Sequence, residues 1–454
     1  MLHSKSAMKA KVKKHSLVAA AAIALLASLT VAGSAGAEGP SRSDTRDRAS
    51  AVFVGTNHNN TTDPTEPANQ VAYYRRATDG RLSLVGYYDT GGQGSGPSQR
   101  FAGDGLGSGS SLKVSDDGRW LLVTNAGSNT VSVFRIRKDR LERTDVEPTG
   151  DGSQSHRFPN SVTIHDDVVY VLSSGEDASI TGFELSDKGR LTPISGSTRL
   201  LDANQPRFTP DPLSNATQVS LTPDGSQLVV SIKDGPAAGF VPGFTPTGAG
   251  RVLVFNVDED LPSAQPVQTD FANRGPFGFS FDRKGNLVVA QFIGGGVESV
   301  NGRDELTGAV GSFRINDDGS LTALTAFAGD HQLDTCWAVN NGRFAFGSNY
   351  SSGTISSFTI GADGKLSLLR SVAATTDDPG NQQGSTPLDL GISPDGRFLY
   401  LVEPGSGKVG GWRIEPDGQL TKLGEFGGLP KAVDGDHAPI DFGAGGSPAG
   451  IAVM

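Results

Sequence analysis

Three short segments of the chain place an arginine before a phenylalanine: "QRF" (Gln99–Phe101), "HRF" (His156–Phe158) and "PRF" (Pro206–Phe208), and Arg274 follows in the next comparable loop. A guanidinium offers a planar fork of N–H donors that matches a carboxylate or phosphate. Arg100, Arg157, Arg207 and Arg274 could therefore converge on an anion, with His156 beside them. The competing reading packs each Phe into its own loop and leaves each Arg solvated, because an acidic protein also needs scattered surface cations. "GDH" occurs twice, at Gly329–His331 and Gly435–His437, which makes His331 and His437 candidate general bases in a cleft. The same tripeptides also fit loops capped by their own aspartate.

Other chemistry is thinly represented. There is no CxxC, HExxH, GxSxG or phosphate-loop pattern, and no cofactor is expected. Asp258-Glu259-Asp260 is acidic but lacks the ligand spacing of a calcium loop, so no metal is expected either. The single cysteine, Cys336, excludes a disulfide within the chain. With no His beside it in sequence, it reads as a small buried apolar residue and not as a nucleophile.

The first 37 residues have their own character. Five lysines (Lys5, Lys9, Lys11, Lys13, Lys14) precede an apolar run, Leu17 to Val31, and then Ala35-Gly36-Ala37, a small-x-small cleavage signal. That order describes a secretory signal peptide, with an apolar run too short for a comfortable membrane span. Residues 38–50 read as a flexible polar leader. Secretion or a periplasmic location is expected, with cleavage near Ala37 and no membrane insertion. The whole chain has 39 Lys+Arg against 49 Asp+Glu, and loses five lysines and no acid with the leader, ending at a formal charge of −15. Such an acidic surface excludes nucleic acid as the expected partner. A monomer binding a small anionic or cyclic organic molecule is the expectation.

The elements that must position these residues are written in a repeat. Asp-Gly-type turns at Asp117-Gly118, Asp224-Gly225, Lys284-Gly285, Asn341-Gly342 and Asp395-Gly396 are each followed by an apolar strand, such as "WLLVTN", "QLVVSI" or "RFLYLVE". A second, alternating strand follows ("TVSVFRI", "RVLVFNV", "KVGGWRI"), then a second tight turn leading into "SLTAL", "KLSLL" or "QLTKL". Alternating strands joined by such turns are antiparallel hairpins. A four-stranded unit repeated about every fifty residues predicts an all-β fold, a β-propeller. Seven units fit residues 51–454. "AVFVGTN" (Ala51–Asn57) matches the second strand of the repeat, and the missing first strand is "SPAGIAVM" (Ser447–Met454), so the C-terminus is expected to complete blade one and close the ring.

Strands of the type "PDGRFLYLVEPGSGKV", with blades ending in "DGxL", resemble the lactonase family of seven-bladed propellers and the related YVTN-type repeats. That family includes bacterial 6-phosphogluconolactonase and fungal carboxymuconate cycloisomerase. The resemblance implies His, Arg and acidic residues around the channel mouth. The family's "Pro-His" blade entrance reads Pro159-Asn160 here, and a neutral Asn can orient a substrate but not take its proton.

Long insertions fall only in the loops between strands two and three (Asn57–Asn69, Lys233–Gly250, Phe292–Gly308) and between blades (Gly91–Ser110, Gly150–Pro159, Asp202–Asn215, Lys431–Ser447). One face is therefore elaborated and carries binding. Aligned by turn, the first strands enter the channel at Ser111, Ser161, Gln218, Gly278, Cys336, Asp389 and Gly450. Asp389 alone in that ring titrates in a useful range. Two functions follow. One is an exported enzyme that opens, closes or isomerises a lactone or cyclic acid bearing an acidic group, with His331, His437 and Asp389 moving protons and Arg100, His156, Arg157, Arg207, Arg274, Asn160 and Gln218 binding. The other is a non-catalytic propeller that binds a small molecule, glycan or protein. The export signal speaks against 6-phosphogluconolactone, a cytoplasmic metabolite.

Overall fold

A computed structural model describes residues 50–97, 104–150, 156–206, 210–233, 250–272, 274–292, 308–377, 384–432 and 444–454. These residues form seven antiparallel sheets and no α-helix. The inner strands, in ring order from blade one, are Ala449–Val453, Leu112–Val114, Pro159–His165, Ala216–Leu221, Gly275–Phe281, Thr335–Asn340 and Leu390–Ile392. Each touches the next around the ring, the last touching the first. The C-terminal strand does close the propeller: Val52 pairs with Val453, Phe53 with Ala452 and Val54 with Ile451. Five sheets have four strands. In blades three and four the outer strand is broken into two short pieces that pair with the same third strand.

The repeated Ser/Thr-x-Asp-Gly turn has a local cause. Ser115 Oγ donates to Asp117 Oδ1 and accepts from the Trp120 backbone N–H, while Gly118 N–H donates to Ser115 O. Thr222, Asp224, Gly225 and Gln227 repeat the arrangement in blade four. Gly118 (φ 67°) and Gly225 (φ 72°) sit in the left-handed region that glycine reaches at no steric cost. The turn thus satisfies its own polar groups and reverses the chain into an apolar central strand.

Those central strands, such as Trp120–Asn125, Gln227–Ile232 and Phe398–Glu403, are buried along their whole length. Their alternate side chains face the two neighbouring blades. Trp120, Leu122 and Val133 of blade two pack on Val162, Ile164 and Val171 of blade three, and Leu228, Val230 and Phe255 of blade four on Tyr170, Leu172 and Ile180 of blade three. Burying each such side chain contributes about 1.5–3 kcal/mol. The core is a ring of interfaces, which fixes the blades rigidly and leaves a central channel for function.

Candidate functional site

The inner strands surround a channel cavity of about 290 Å³. Asp389 stands immediately before the inner strand of blade seven, 7% exposed, on the channel wall with Trp337, Gly278 and Ser110. Burial, then the Asp104 carboxylate, push its carboxyl well above the ordinary carboxylate range, and the Ser110 backbone N–H pulls the other way. Desolvation dominates, so Asp389 is biased toward its neutral form.

A smaller cavity of about 50 Å³ shares Trp337 with the channel. Phe277, Phe292 and Tyr350 supply aromatic walls, and Asp104, Asp334 and Cys336 supply polar ones. Trp337 is fixed by its indole N–H, which donates to Ser108 O at 3.0 Å, and by the Phe277 ring at 4.7 Å between centroids. Asp334 accepts from the Ser351 hydroxyl.

Beneath this cavity lies Lys233, which follows the central strand of blade four and is fully buried. Its ammonium donates to Gly107 O (3.0 Å) and Pro212 O (2.5 Å) and stands 3.9 Å from the Phe277 ring centroid. Burial pushes its pKa down to about 8, while Asp104, Cys336 and Asp211 draw it back up. Asp104 opens the turn that ends at Gly107, accepting the Gly107 N–H at 2.7 Å. Burial raises its pKa, and Lys233 and the Gly107 and Leu106 N–H groups lower it. Gly107 has φ 57°, and a Cβ there would stand 3.2 Å from Lys233 Nζ. The close approach of loop 104–107 to the ammonium therefore needs glycine.

The division of labour follows from exposure. Asp104 is half-buried and reaches the cavity, whereas Lys233 does not reach solvent at all. Asp104 can accept a proton from a molecule in the cavity. Lys233 is a positioning residue: it ties loops 104–107 and 211–213 together and favours the ionised form of Asp104. The aromatic walls suit a ring-shaped ligand.

The residues singled out in the sequence are only partly brought together. Arg100, Arg207 and His437 lie outside the described residues. Asp389 stands on the channel wall as expected for its ring position. Arg274 is turned onto Phe327, 4.7 Å from the ring centroid, on the outermost strand of its blade. Arg157 packs its Cβ against Gly175 and gives its carbonyl to the Gly175 N–H, and its Nε is buried without a hydrogen-bond partner among the described residues. The two described arginines thus rest on different supports. His156 shares a 2.9 Å hydrogen bond between Nδ1 and Ser179 Oγ of its own blade.

Asn160 and Gln218 serve the frame. Asn160 is fully buried and donates to Ala216 O at 2.9 Å. The Gln218 carboxamide both donates to Phe279 O and accepts from Phe279 N–H, which satisfies it against the next blade. His331 is exposed with φ 60°. Its neighbour Asp330 is fully buried, accepting from Thr335 Oγ1 (2.6 Å) and Gln332 N–H (3.0 Å), so this "GDH" is a loop capped by its own aspartate. Cys336 is 7% exposed, on an inner strand.

Asp104 and Lys233 were not singled out in the sequence. The signal that could have found them is modest: an acid in the glycine-rich loop Gly91–Ser110, and a lysine directly after the apolar strand "QLVVSI".

The family model "Lactonase, 7-bladed beta-propeller" matches residues 64–204 and 298–432, more than half of the chain. The chain belongs to this family. Among solved structures, the lactonase propeller is similar to a Bacteroides fragilis protein provisionally described as a 6-phosphogluconolactonase. That likeness has TM-score 0.59 and 15% identity, covering 92% of this chain and 100% of the other. It is also similar to a periplasmic gluconolactonase of Pseudomonas aeruginosa (TM-score 0.57, 17% identity, covering 89% and 99%). A Lactobacillus plantarum protein matches to the same degree (TM-score 0.57, 17% identity, 89% and 99%). At these identities the likeness establishes the fold alone. No curated protein matches the sequence.

Proposed function

We propose that this lactonase-family propeller hydrolyses a lactone in the aromatic cavity at the channel end, with Asp104 as the proton-transfer group. The observation that carries the reading is the Asp104–Lys233 arrangement: a carboxylate facing the cavity, with a buried ammonium behind it that holds its loop. Water attacks the ring carbonyl carbon and loses a proton to Asp104. The ring C–O bond then breaks, and the departing alkoxide takes that proton, leaving a hydroxy acid. Trp337 and Tyr350 would hold the ring. The described polar wall is formed by Asp104, Asp334 and Cys336, with Asp389 nearby on the channel wall. That balance favours a neutral, hydroxylated lactone over one bearing an acid.

Export remains part of the proposal, supported by the basic head, apolar run and Ala-Gly-Ala of residues 5–37. A second reading, a ligand-binding propeller without turnover, is favoured by the complete burial of Lys233, which keeps its ammonium from touching a ligand. A pH-stat screen of neutral and acid-bearing lactones decides between them. Acid release from neutral lactones supports the proposal. Thermal stabilisation by lactones without acid release would replace it with the binding reading.

A further inference from the structure

Lys113 lies on the inner strand of blade two and lines the 290 Å³ channel cavity. Among the described residues, no acceptor lies within hydrogen-bond or ion-pair reach of its ammonium. The group of opposite sign that acts on it is Asp116, which lines the same cavity but whose side chain is 76% exposed and stands 4.0 Å from His165. A carboxylate so exposed is screened by water and salt and, without a direct ion pair, offsets the Lys113 charge only in part. Asp389, on the same wall system, is pushed toward its neutral form.

On another part of the channel wall, in blade five, Ser280 accepts a hydrogen bond from Asn340 Nδ2 at 2.8 Å. Among the described residues its own hydroxyl hydrogen has no acceptor. A strongly hydrated ammonium and an unspent hydroxyl donor thus face the same narrow space from two blades.

We propose that the channel holds a small carboxylate, with Lys113 as its counter-charge and the Ser280 hydroxyl donating to its second oxygen. Two donors on different blades suit an anion with two oxygens better than a spherical one, and a charge-assisted hydrogen bond is the stronger kind. Neither Lys113 nor Ser280 lines the aromatic cavity, and the site does not depend on the lactone reading.

Titration calorimetry on the full chain tests it, with acetate and lactate as probes and chloride as the control anion. Saturable binding of acetate or lactate is expected, weakened at least tenfold by Lys113→Met and about tenfold by Ser280→Ala, a fold-change typical of one lost hydrogen bond to a charged group. Circular dichroism reports whether each variant folds; should Lys113→Met not fold, Ser280→Ala carries the test. Absence of saturable carboxylate binding to the parent overturns the proposal. So does equal affinity in a folded Lys113→Met or in Ser280→Ala, and so does chloride binding as tightly as acetate.

Discussion

The ammonium of Lys233 stands 3.9 Å from the centroid of the Phe277 ring, fully buried, with Gly107 O and Pro212 O as its acceptors. One side chain of blade four thereby holds two inter-blade loops over the aromatic floor of the cavity. Lys233→Met keeps most of the volume but removes the donor to one buried and one partly buried carbonyl and leaves Asp104 without its counter-charge. The loss of charged hydrogen bonds is offset in part by removing a buried charge, so destabilisation of about 1–3 kcal/mol is expected in denaturant titration. The pH dependence has a definite sign. The folded pKa is about 8 against 10.5 for the ordinary side chain, so between those values the unfolded chain binds more protons. The parent should gain stability relative to Lys233→Met as pH rises through that window. Parallel profiles would contradict the buried-ammonium account.

Glu403 gives the opposite sign. It is fully buried on the central strand of blade seven, Oε2 accepts from Ser406 Oγ at 3.2 Å, and Oε1 has no hydrogen-bond partner among the described residues. Burial, then Glu425, push its pKa up to about 8 from 4.5. The folded chain therefore keeps a proton that the unfolded chain loses, and stability falls as pH rises from 4.5 to about 8. Glu403→Gln should remove that slope and be roughly 2–4 kcal/mol more stable than the parent above pH 8. A variant less stable at pH 9, read by urea midpoints, would refute it.

Closure of the ring depends on nine residues. Deleting 446–454 removes the strand Ala449–Val453, which pairs with Val52, Phe53 and Val54. Blade one keeps three strands and a raw inner edge, so cooperative melting should be lost or replaced by aggregation. Calorimetry checks this; a truncated chain melting at the parent temperature would contradict the closure.

Cys336 is 7% exposed on an inner strand, at the wall of the smaller cavity. Its thiol should react roughly a hundredfold more slowly in the native chain than in denaturant, because reagent access requires local opening. Fast native labelling would place the thiol in open contact with the channel.

The frame was legible because its signals are local. Ser115, Asp117 and Gly118 form a turn whose hydrogen bonds stay within six residues, and the strand after it alternates between two blades. Strand Ala449–Val453 could be assigned from pattern alone because ring closure leaves a single vacancy in the repeat. The site was read less well. Arg274 was singled out for its charge, yet a ring 53 positions away, Phe327, decides where that charge lies. Gln218 stands on the channel wall as its register required, but its amide is spent on Phe279 of the next blade. Lys233 was hidden for the converse reason: a lysine opening a long Gly/Pro-rich insertion looks solvated, and its acceptors Gly107 and Pro212 lie distant in sequence.

Steady-state lactone hydrolysis by the parent and Asp104→Asn, followed by acid release on a neutral, hydroxylated lactone, tests whether Asp104 transfers the proton. Asn keeps the size and can still accept the Gly107 N–H, but cannot take a proton from water. Turnover is expected in the parent, with a fall in kcat of about 10²–10⁴-fold in Asp104→Asn and KM little changed. Equal kcat in parent and variant would contradict it.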